Sequence, residues 1–345
     1  MAVPPIPVSP PAPRPVRTVT AHDVARVAGV SAITVSRALN SPDQLSQATL
    51  ARVRDAITQT GYVPNLLARN LNANKSTRLV AAIVPTISGP IFSASVHALT
   101  ESLARERYQL MLGQTNYEDA REDDLLDAII GRRPDGIVLT GIMHSPGGRK
   151  RLQVCGIPVV ETWDLTDDPI DMLVGFSHES VGQTICQYLH DKGRRRLALI
   201  TAQDQRATRR THAFVTRARE LNLPEVAIMV APAPGTLAGG REGLARLLDA
   251  HPRTDAVFCS SDMMALGALT EAHARGLDVP ASLAVVGFGD LDFCASLHPA
   301  LTSVRIDANA IGGQAAQFII DRAEGRTLAQ TRVDVGFTLV ERASS

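Results

Sequence analysis

The chain has 345 residues, no formal net charge, 45% hydrophobic and 20% charged residues, a composition that excludes a disordered or fibrous protein. The charge is unevenly distributed, because residues 1–77 contain eight basic and three acidic side chains. The rest of the chain therefore carries a surplus of five negative charges. A basic segment on an acidic body indicates a phosphate-binding module attached to a separate core.

The first 17 residues are dominated by proline, with seven prolines among the first fifteen positions. We expect a disordered tail there rather than a secretory signal, because no apolar run is present. The four cysteines are widely spaced and form no Cys-x-x-Cys pair, which favours reduced thiols in a cytoplasmic protein without metal or cofactor. No apolar run reaches the length of a transmembrane helix.

Residues 18–63 predict three short helices that begin after the capping residues Thr20, Ser31 and Ser46. The first two helices run to about residues 27 and 39, and the third ends at Gly61. This succession is typical of a small all-α domain.

The junction between the first two helices meets the steric demands of a helix-turn-helix. Ala25 is small where the helices cross, Gly29 permits the positive φ of the turn, and Val35 anchors the second helix. Together with the basic charge, this spacing predicts a DNA-binding domain.

After Lys75 the sequence alternates between apolar strands and amphipathic helices. The nine predicted strands cover residues 79–84, 109–112, 136–140, 158–162, 197–201, 226–230, 256–260, 283–288 and 302–306. Such continuous apolar runs indicate parallel strands that are buried on both faces. Nine strands exceed one small sheet, so we predict an α/β core of two doubly wound parallel-sheet lobes, with a cleft at the carboxyl ends of the strands.

Sequence motifs of common enzyme classes are missing. No Gly-x-Gly-x-x-Gly follows a strand, and the glycine-rich stretch at 235–240 has no phosphate-loop pattern. We therefore predict no catalytic residues and no enzymatic activity.

Three stretches carry a resemblance to a known family: Thr20-Ala-His-Asp-Val-Ala-Arg-Val-Ala-Gly-Val-Ser31, Thr34-Val-Ser-Arg37 and Gly61-Tyr-Val-Pro-Asn65. In this order and spacing they closely resemble the lactose-repressor (LacI/GalR) family of transcriptional regulators. The resemblance implies that residues 31–39 form the recognition helix in the major groove.

By this resemblance, the DNA contacts of the amino-terminal domain are Thr20, Ser31, Ala32, Ile33, Thr34, Ser36 and Arg37. The apolar Ala32 and Ile33 suit thymine methyl groups, and Arg37 suits guanine. Ser31, Thr34 and Ser36 suit phosphates or flanking base edges. The other interpretation of Arg37 is a solvated surface arginine.

Residues 64–77 resemble the family's hinge helix, which implies DNA contacts at Asn65, Ala68, Arg69 and Leu71. Leu71 matches the leucine that wedges between base pairs in the minor groove and kinks the DNA. A plain linker is the alternative.

Residues 78–345 resemble the periplasmic sugar-binding fold that this family carries as its effector-binding and dimerisation core. The motifs on which this resemblance rests are Ser261-Asp-Met-Met-Ala-Leu-Gly-Ala268, Val285-Val-Gly-Phe288 and Pro299-Ala-Leu-Thr302. We expect one lobe at about 78–176 and 307–335, and the other at about 177–306 and 336–345.

The ligand class is indicated by Gly289, which stands where many relatives place an aspartate for neutral sugar hydroxyls. Several core stretches, such as Asp135-Gly-Ile-Val-Leu-Thr140 and Gly156-Ile-Pro-Val-Val-Glu161, resemble the gluconate-utilisation repressors. This resemblance implies a sugar acid such as gluconate or its phosphate, and a different sugar or metabolite is the alternative.

The candidate effector contacts at the predicted cleft are Phe92, His144, Glu161, Trp163, Arg210, Ser261, Asp262 and Phe288. Arg210 matches the ligand-gripping arginine of the family, and its planar fork suits a carboxylate.

Several of these side chains have a second interpretation. In this second interpretation, Glu161 pairs with a cleft arginine instead of the effector. His144 is then a loop histidine whose hydrogen bonds are satisfied within the protein, and Trp163 is a core residue. Arg206 and Arg209 are either solvated or binders of a phosphate.

As partners we expect a palindromic operator in double-stranded DNA, a small-molecule effector and a second copy of the chain, but no membrane. No leucine heptad follows Leu339, which favours a homodimer over a tetramer. The distant alternative is a sugar-binding protein without DNA function.

Overall fold

The computed structural model describes residues 18–63, 76–87, 89–142 and 144–345. The chain separates into two compact units, Met1–Asn74 and Lys75–Ser345. The predicted tail and the predicted hinge contacts Asn65, Ala68, Arg69 and Leu71 lie outside the described residues and stay predictions.

The amino-terminal unit contains α1 (Ala21–Ala28), α2 (Ala32–Asn40) and α3 (Gln47–Thr60). Their inner faces pack Val24, Val35 and Val53 into a small core, and each of these side chains is fully buried. Gly29 ends α1 with a φ of 64°, the left-handed conformation that glycine adopts without strain. The predicted helix-turn-helix is therefore confirmed.

The strands of the core unit are β1 (Leu79–Val84), β2 (Gln109–Gln114), β3 (Gly136–Thr140), β4 (Val159–Thr162), β5 (Met172–Gly175), β6 (Leu197–Ala202), β7 (Ala227–Ala231), β8 (Ala256–Cys259), β9 (Ala284–Gly289), β10 (Thr302–Arg305), β11 (Arg332–Asp334) and β12 (Thr338–Val340). The helices are α4 (Ser93–Arg105), α5 (Asp119–Ile130), α6 (Pro146–Val154), α7 (His178–Asp191), α8 (Gln205–Glu220), α9 (Leu237–Ala250), α10 (Asp262–Ala274) and α11 (Ala308–Ala323).

These strands form two six-stranded sheets, which define two lobes. Lobe 1 has the order β11-β5-β4-β3-β1-β2, and all its strands are parallel. Lobe 2 has the order β12-β10-β9-β8-β6-β7, in which only β12 runs antiparallel to its neighbour. Since the chain passes between the sheets after β5, after β10 and after β11, the lobes are joined by three crossings.

All nine predicted strands are present, and their ends agree within two residues. The sequence interpretation missed β5, β11 and β12, which are only three or four residues long. The two-lobe α/β architecture is confirmed, with the antiparallel edge strand β12 as its one departure from the expected pattern within the described residues.

Candidate functional site

Helix α2 exposes one face at the surface of the amino-terminal unit, and this face carries both polar and apolar side chains. Its start is fixed by Ser31, whose Oγ accepts the backbone N–H of Thr34 at 3.1 Å. Because Val35 holds the inner side, Ile33, Ser36 and Arg37 point outward, and Ile33 is 66% exposed.

The exposed side chains of α2 are available to a partner. The guanidinium of Arg37 forms no hydrogen bond or ion pair with any residue that the structure describes. Ala32 and Thr34 are half-buried beside it. Thr20 lies at the start of α1, where its N–H and hydroxyl donate to the Asp23 carboxylate at 3.0 and 2.8 Å. The predicted DNA contacts of this unit thus lie at the start of α1 and along α2, where Arg37 belongs to the last turn.

In the core unit, two adjoining cavities open at the carboxyl ends of both sheets. Cavity A is lined by side chains of both lobes, among them Phe92 and Trp163 of lobe 1 and Arg210 and Phe288 of lobe 2. Six of the eight predicted effector contacts line it: Phe92, Trp163, Arg210, Ser261, Asp262 and Phe288.

Cavity B is the second of these spaces, and the predicted contact His144 lines it. Tyr117, Asp204 and Arg206 line both cavities, so the two spaces meet at these side chains. Glu161 lines neither cavity.

Arg210 is the central cation of cavity A. Its guanidinium stacks 4.0 Å from the centre of the Phe288 ring, and its Nη2 donates to the Ser260 carbonyl at 3.2 Å. Its Nη1 lies 3.0 Å from His178 Nδ1. Burial lowers the pKa of Arg210 to about 10, so the side chain is still charged at neutral pH.

His178 is a neutral imidazole that accepts a hydrogen bond from Arg210. Its Nε2 donates to the Trp163 carbonyl at 2.9 Å, which leaves Nδ1 free to accept from Arg210. Burial and the positive charges of Arg210 and Arg206 lower the pKa of His178 well below its usual value. His178 therefore orients Arg210 without neutralising it.

Two neighbouring arginines of α8 have different surroundings. Arg209 binds Asp164 and Glu179, each at 2.6 Å, so its charge is paired within the protein. Arg206 lies 3.4 Å from Asp204 and stacks over the Phe92 ring at 5.1 Å, while its buried Nη1 has no hydrogen-bond partner among the described residues. Arg206, unlike Arg209, offers a free donor to the cleft.

Asp262 and Ser261 brace the edge of cavity A. The buried Asp262 carboxylate accepts from Ser303 Oγ at 2.6 Å and from the Leu291 N–H at 2.8 Å. Ser261 caps α10 by accepting the Met264 N–H at 3.3 Å. A Cβ at Gly289 would lie 3.1 Å from Asp262 Oδ2, so an acidic side chain at that position would face a second carboxylate.

The apolar wall of cavity A belongs to a chain of packed rings, edge-to-face from Phe92 to Phe176 and tilted between Phe176 and Phe288. Trp163 lies 5.1 Å from Phe92 and 6.1 Å from Phe176, and Phe176 lies 6.1 Å from Phe288. The Trp163 indole N–H donates to Ser95 Oγ at 3.2 Å. Trp163 is therefore a core residue and a cavity residue at once.

His144 lies between two carboxylates at the wall of cavity B. Its Nδ1 is 2.5 Å from Glu122 Oε1, and its Nε2 is 3.3 Å from Glu161 Oε1. Glu161 is fully buried and also accepts the Ile170 N–H at 2.6 Å. Glu161 therefore faces His144 and not the cleft arginine of its second interpretation, and all four residues of β4 are buried.

The ion pairs of His144 predict a pH dependence of core stability. Burial opposes the charged imidazole, but Glu122 and Glu161 outweigh it and raise the pKa of His144 to about 9. In the unfolded chain the pKa is about 6.5. The stabilisation is therefore complete below pH 6.5 and is lost as the pH rises to about 9, by up to about 3 kcal/mol.

This dependence can be measured by urea unfolding at pH 6.5 and pH 9. The wild-type protein should lose stability over this interval, and the His144→Gln variant should lose much less. Equal losses in both proteins would assign the pH dependence to other groups.

Three residues of the site were missed or underrated in the sequence. His178 follows the short strand β5, which the sequence interpretation did not identify. Tyr117 enters the cleft from a turn with a φ of 63°. Asp164 is fully buried, and burial raises its pKa to about 6 against the effect of Arg209. The only available signal was position, because each residue follows closely on the carboxyl end of a lobe 1 strand.

The described residues form neither a candidate metal site nor a membrane-spanning helix. No group of three histidine, cysteine or acidic side chains among them is arranged to hold a metal ion. Likewise, none of their helices has the length and apolar character needed to span a membrane.

Comparison with known proteins identifies both units. Residues 20–65 match the family described as bacterial regulatory proteins, lacI family, and residues 186–345 match the periplasmic binding protein-like domain.

The relatives extend over nearly the whole chain. It is 35% identical to the HTH-type transcriptional regulator GntR of Pseudomonas aeruginosa, over 94% of this chain and 95% of that protein. It is 31% identical to the HTH-type transcriptional repressor CytR of Escherichia coli K12, over 89% and 90% respectively. A solved LacI-family regulator from Silicibacter pomeroyi superposes with a TM-score of 0.89 at 30% identity, covering 94% of this chain and 99% of that one. The predicted family is thereby confirmed: the chain belongs to the lacI family of bacterial regulatory proteins and is a DNA-binding transcriptional regulator, not an enzyme.

Proposed function

We propose that the chain is a repressor whose operator affinity changes when a sugar acid, such as gluconate or its phosphate, binds in cavity A. The unpaired charge of Arg210 carries this proposal. Its side chain is 4% exposed, its Nε has no hydrogen-bond partner, and no described carboxylate lies within ion-pair distance of it. A buried charge without a counter-ion is costly, and a ligand carboxylate offsets that cost.

Two further observations support an acid over a neutral sugar. Gly289 provides no carboxylate for sugar hydroxyls, and Asp262 is already occupied by Ser303 and Leu291. The similarity to the regulator named GntR supports gluconate, whereas the similarity to the repressor named CytR makes a different metabolite the second candidate.

Calorimetric titration of the full chain tests the effector class. Gluconate and gluconate 6-phosphate are compared with glucitol, which has the same carbon skeleton without the carboxylate. We expect binding of an acid and no binding of glucitol. Tight binding of glucitol, or no binding of either acid, would contradict the proposal. A parallel DNA retention assay shows whether the acid releases or recruits the operator.

The Arg37→Ala variant tests the DNA interface of α2. If Arg37 donates two hydrogen bonds to a guanine, its loss should weaken operator binding by about 10- to 100-fold, equivalent to about 1–3 kcal/mol. The operator is first selected from random duplexes with the wild-type protein. A matched control is Arg54→Ala on the exposed side of α3. If Arg37→Ala weakens binding to the operator and to random DNA equally, Arg37 contacts a phosphate and does not read a base.

For the assembly we propose a homodimer that binds a palindromic operator. In this dimer, the hinge at residues 64–77 couples the effector state of the lobes to DNA affinity. The edge strand β7 supports a partner surface, because Ile228 and Val230 are 41% and 65% exposed. Coupling between effector and operator in such a device is worth about 1–3 kcal/mol. Sedimentation equilibrium should give twice the monomer mass of 36.8 kDa.

A further inference from the structure

We propose that cavity B is a second compartment of the effector site, which takes the uncharged, hydroxylated end of an open-chain acid. This inference rests on the proposed binding of a sugar acid in cavity A. It narrows the effector to an extended polyhydroxy acid without a phosphate at its far end.

The two cavities adjoin each other at three side chains that line both, Tyr117, Asp204 and Arg206. Arg206 has one donor, Nε, beside Asp204, and its free Nη1 lies 3.9 Å from the Cβ position of Gly141 on the opposite lobe. A ligand held by Arg210 in cavity A therefore passes Arg206 before it reaches cavity B. An open-chain acid is flexible enough to follow this path and to occupy both cavities. A ring-shaped acid is too compact to do so and would occupy cavity A only.

Tyr117 marks the junction of the two compartments. Asn116 and Tyr117 have φ angles of 55° and 63°, and the turn is held by the Asn116 N–H, which donates to the Pro85 carbonyl at 2.8 Å. A left-handed backbone at tyrosine costs free energy, and the turn places its side chain against both cavities. The phenol hydroxyl has no hydrogen-bond partner among the described residues, so it is available to a ligand hydroxyl.

The charges that line cavity B favour hydroxyl groups over a phosphate. Glu118, Glu122 and Asp204 supply carboxylates, against the positive charges of His144 and Arg206. His144 is already bound to Glu122 and faces Glu161, and Arg206 is beside Asp204. Glu118 is likewise paired, with Arg121 at 2.9 Å. A phosphate dianion would therefore compete with three carboxylates for these cations, whereas ligand hydroxyls can donate to the carboxylate oxygens.

The test is a calorimetric comparison of glycerate, gluconate, glucuronate and gluconate 6-phosphate. Glycerate has the carboxylate but only three carbons, and glucuronate is a ring acid. We expect wild-type protein to bind gluconate at least about tenfold more tightly than each of the other three acids. Tyr117→Phe should weaken gluconate binding by about 5- to 10-fold and glycerate binding by less than about twofold.

The matched control is Tyr188→Phe, which removes a hydroxyl that bonds Ser345 outside both cavities. It should leave the affinities for all four acids unchanged, and equal thermal midpoints confirm that both variants fold. If wild-type protein binds gluconate but Tyr117→Phe weakens gluconate and glycerate equally, the compartment assignment is wrong. The same holds if gluconate 6-phosphate or glucuronate binds as tightly as gluconate. If no acid binds the wild-type protein, the proposed effector class itself fails and the compartment assignment falls with it.

Discussion

The Arg210→Met variant is expected to lose effector binding by at least about 30-fold, equivalent to about 2 kcal/mol. Methionine fills much of the arginine volume but removes the only cation of cavity A that has no carboxylate partner among the described residues. Because a buried charge without a counter-ion is costly, the unliganded variant should unfold at the same or a higher temperature. Calorimetric titration and thermal unfolding measure the two effects separately.

A control on the same helix distinguishes the site from general charge effects. Arg219 is exposed in the last turn of α8, and Arg219→Ala should bind the effector like the wild type. Arg210→Lys retains the charge but loses the planar fork, so an intermediate affinity is expected. Unchanged affinity in Arg210→Met would remove the basis for an acidic effector. A strongly destabilised variant would instead show that Arg210 holds the lobes together.

The second large effect is expected at Gly312 in α11. A Cβ built at Gly312 overlaps the Ser95 carbonyl oxygen of α4, and both atoms belong to packed helices that cannot easily separate. Gly312→Ala should therefore destabilise the core by about 3 kcal/mol or prevent folding. Guanidinium unfolding followed by near-ultraviolet circular dichroism measures the change.

The adjacent residue gives a matched comparison. A Cβ at Gly313 would meet only Ser102 Oγ, at 3.9 Å, so alanine fits there without strain. Since alanine favours a helix interior by up to about 1 kcal/mol over glycine, Gly313→Ala should be neutral or stabilising. Similar stabilities for the two variants would show that α4 and α11 adjust to the extra methyl group.

Sequence reasoning was most successful where one physical signal dominated. The buried strands β1, β3, β6 and β8 are continuous apolar runs, and their positions follow directly from that pattern. The edge strands β11 and β12 are short and partly exposed, so their sequences contain no apolar run from which a strand could be predicted. Strand β5 is buried but only four residues long, below the length at which periodicity is informative.

The site was predictable only in part for a related reason. Arg210 and Ser261 belong to recognisable motifs, whereas His178 and Tyr117 depend on how the chain crosses between lobes and on a left-handed turn. Glu161 looked like a cleft residue because it precedes a strand end, but its direction depends on the burial of both faces of β4. The domain limits and the individual DNA and effector contacts stay predictions.

Trp163 is the single tryptophan of the chain, and it lies in the wall of cavity A between Phe92 and Phe176. Its indole is almost fully shielded from water and is bonded to Ser95. The protein thus carries one indole fluorophore beside its four tyrosines, placed where an effector in cavity A would change its surroundings. If the effector binds in cavity A, the tryptophan emission is expected to change with occupancy, which gives a label-free readout of binding.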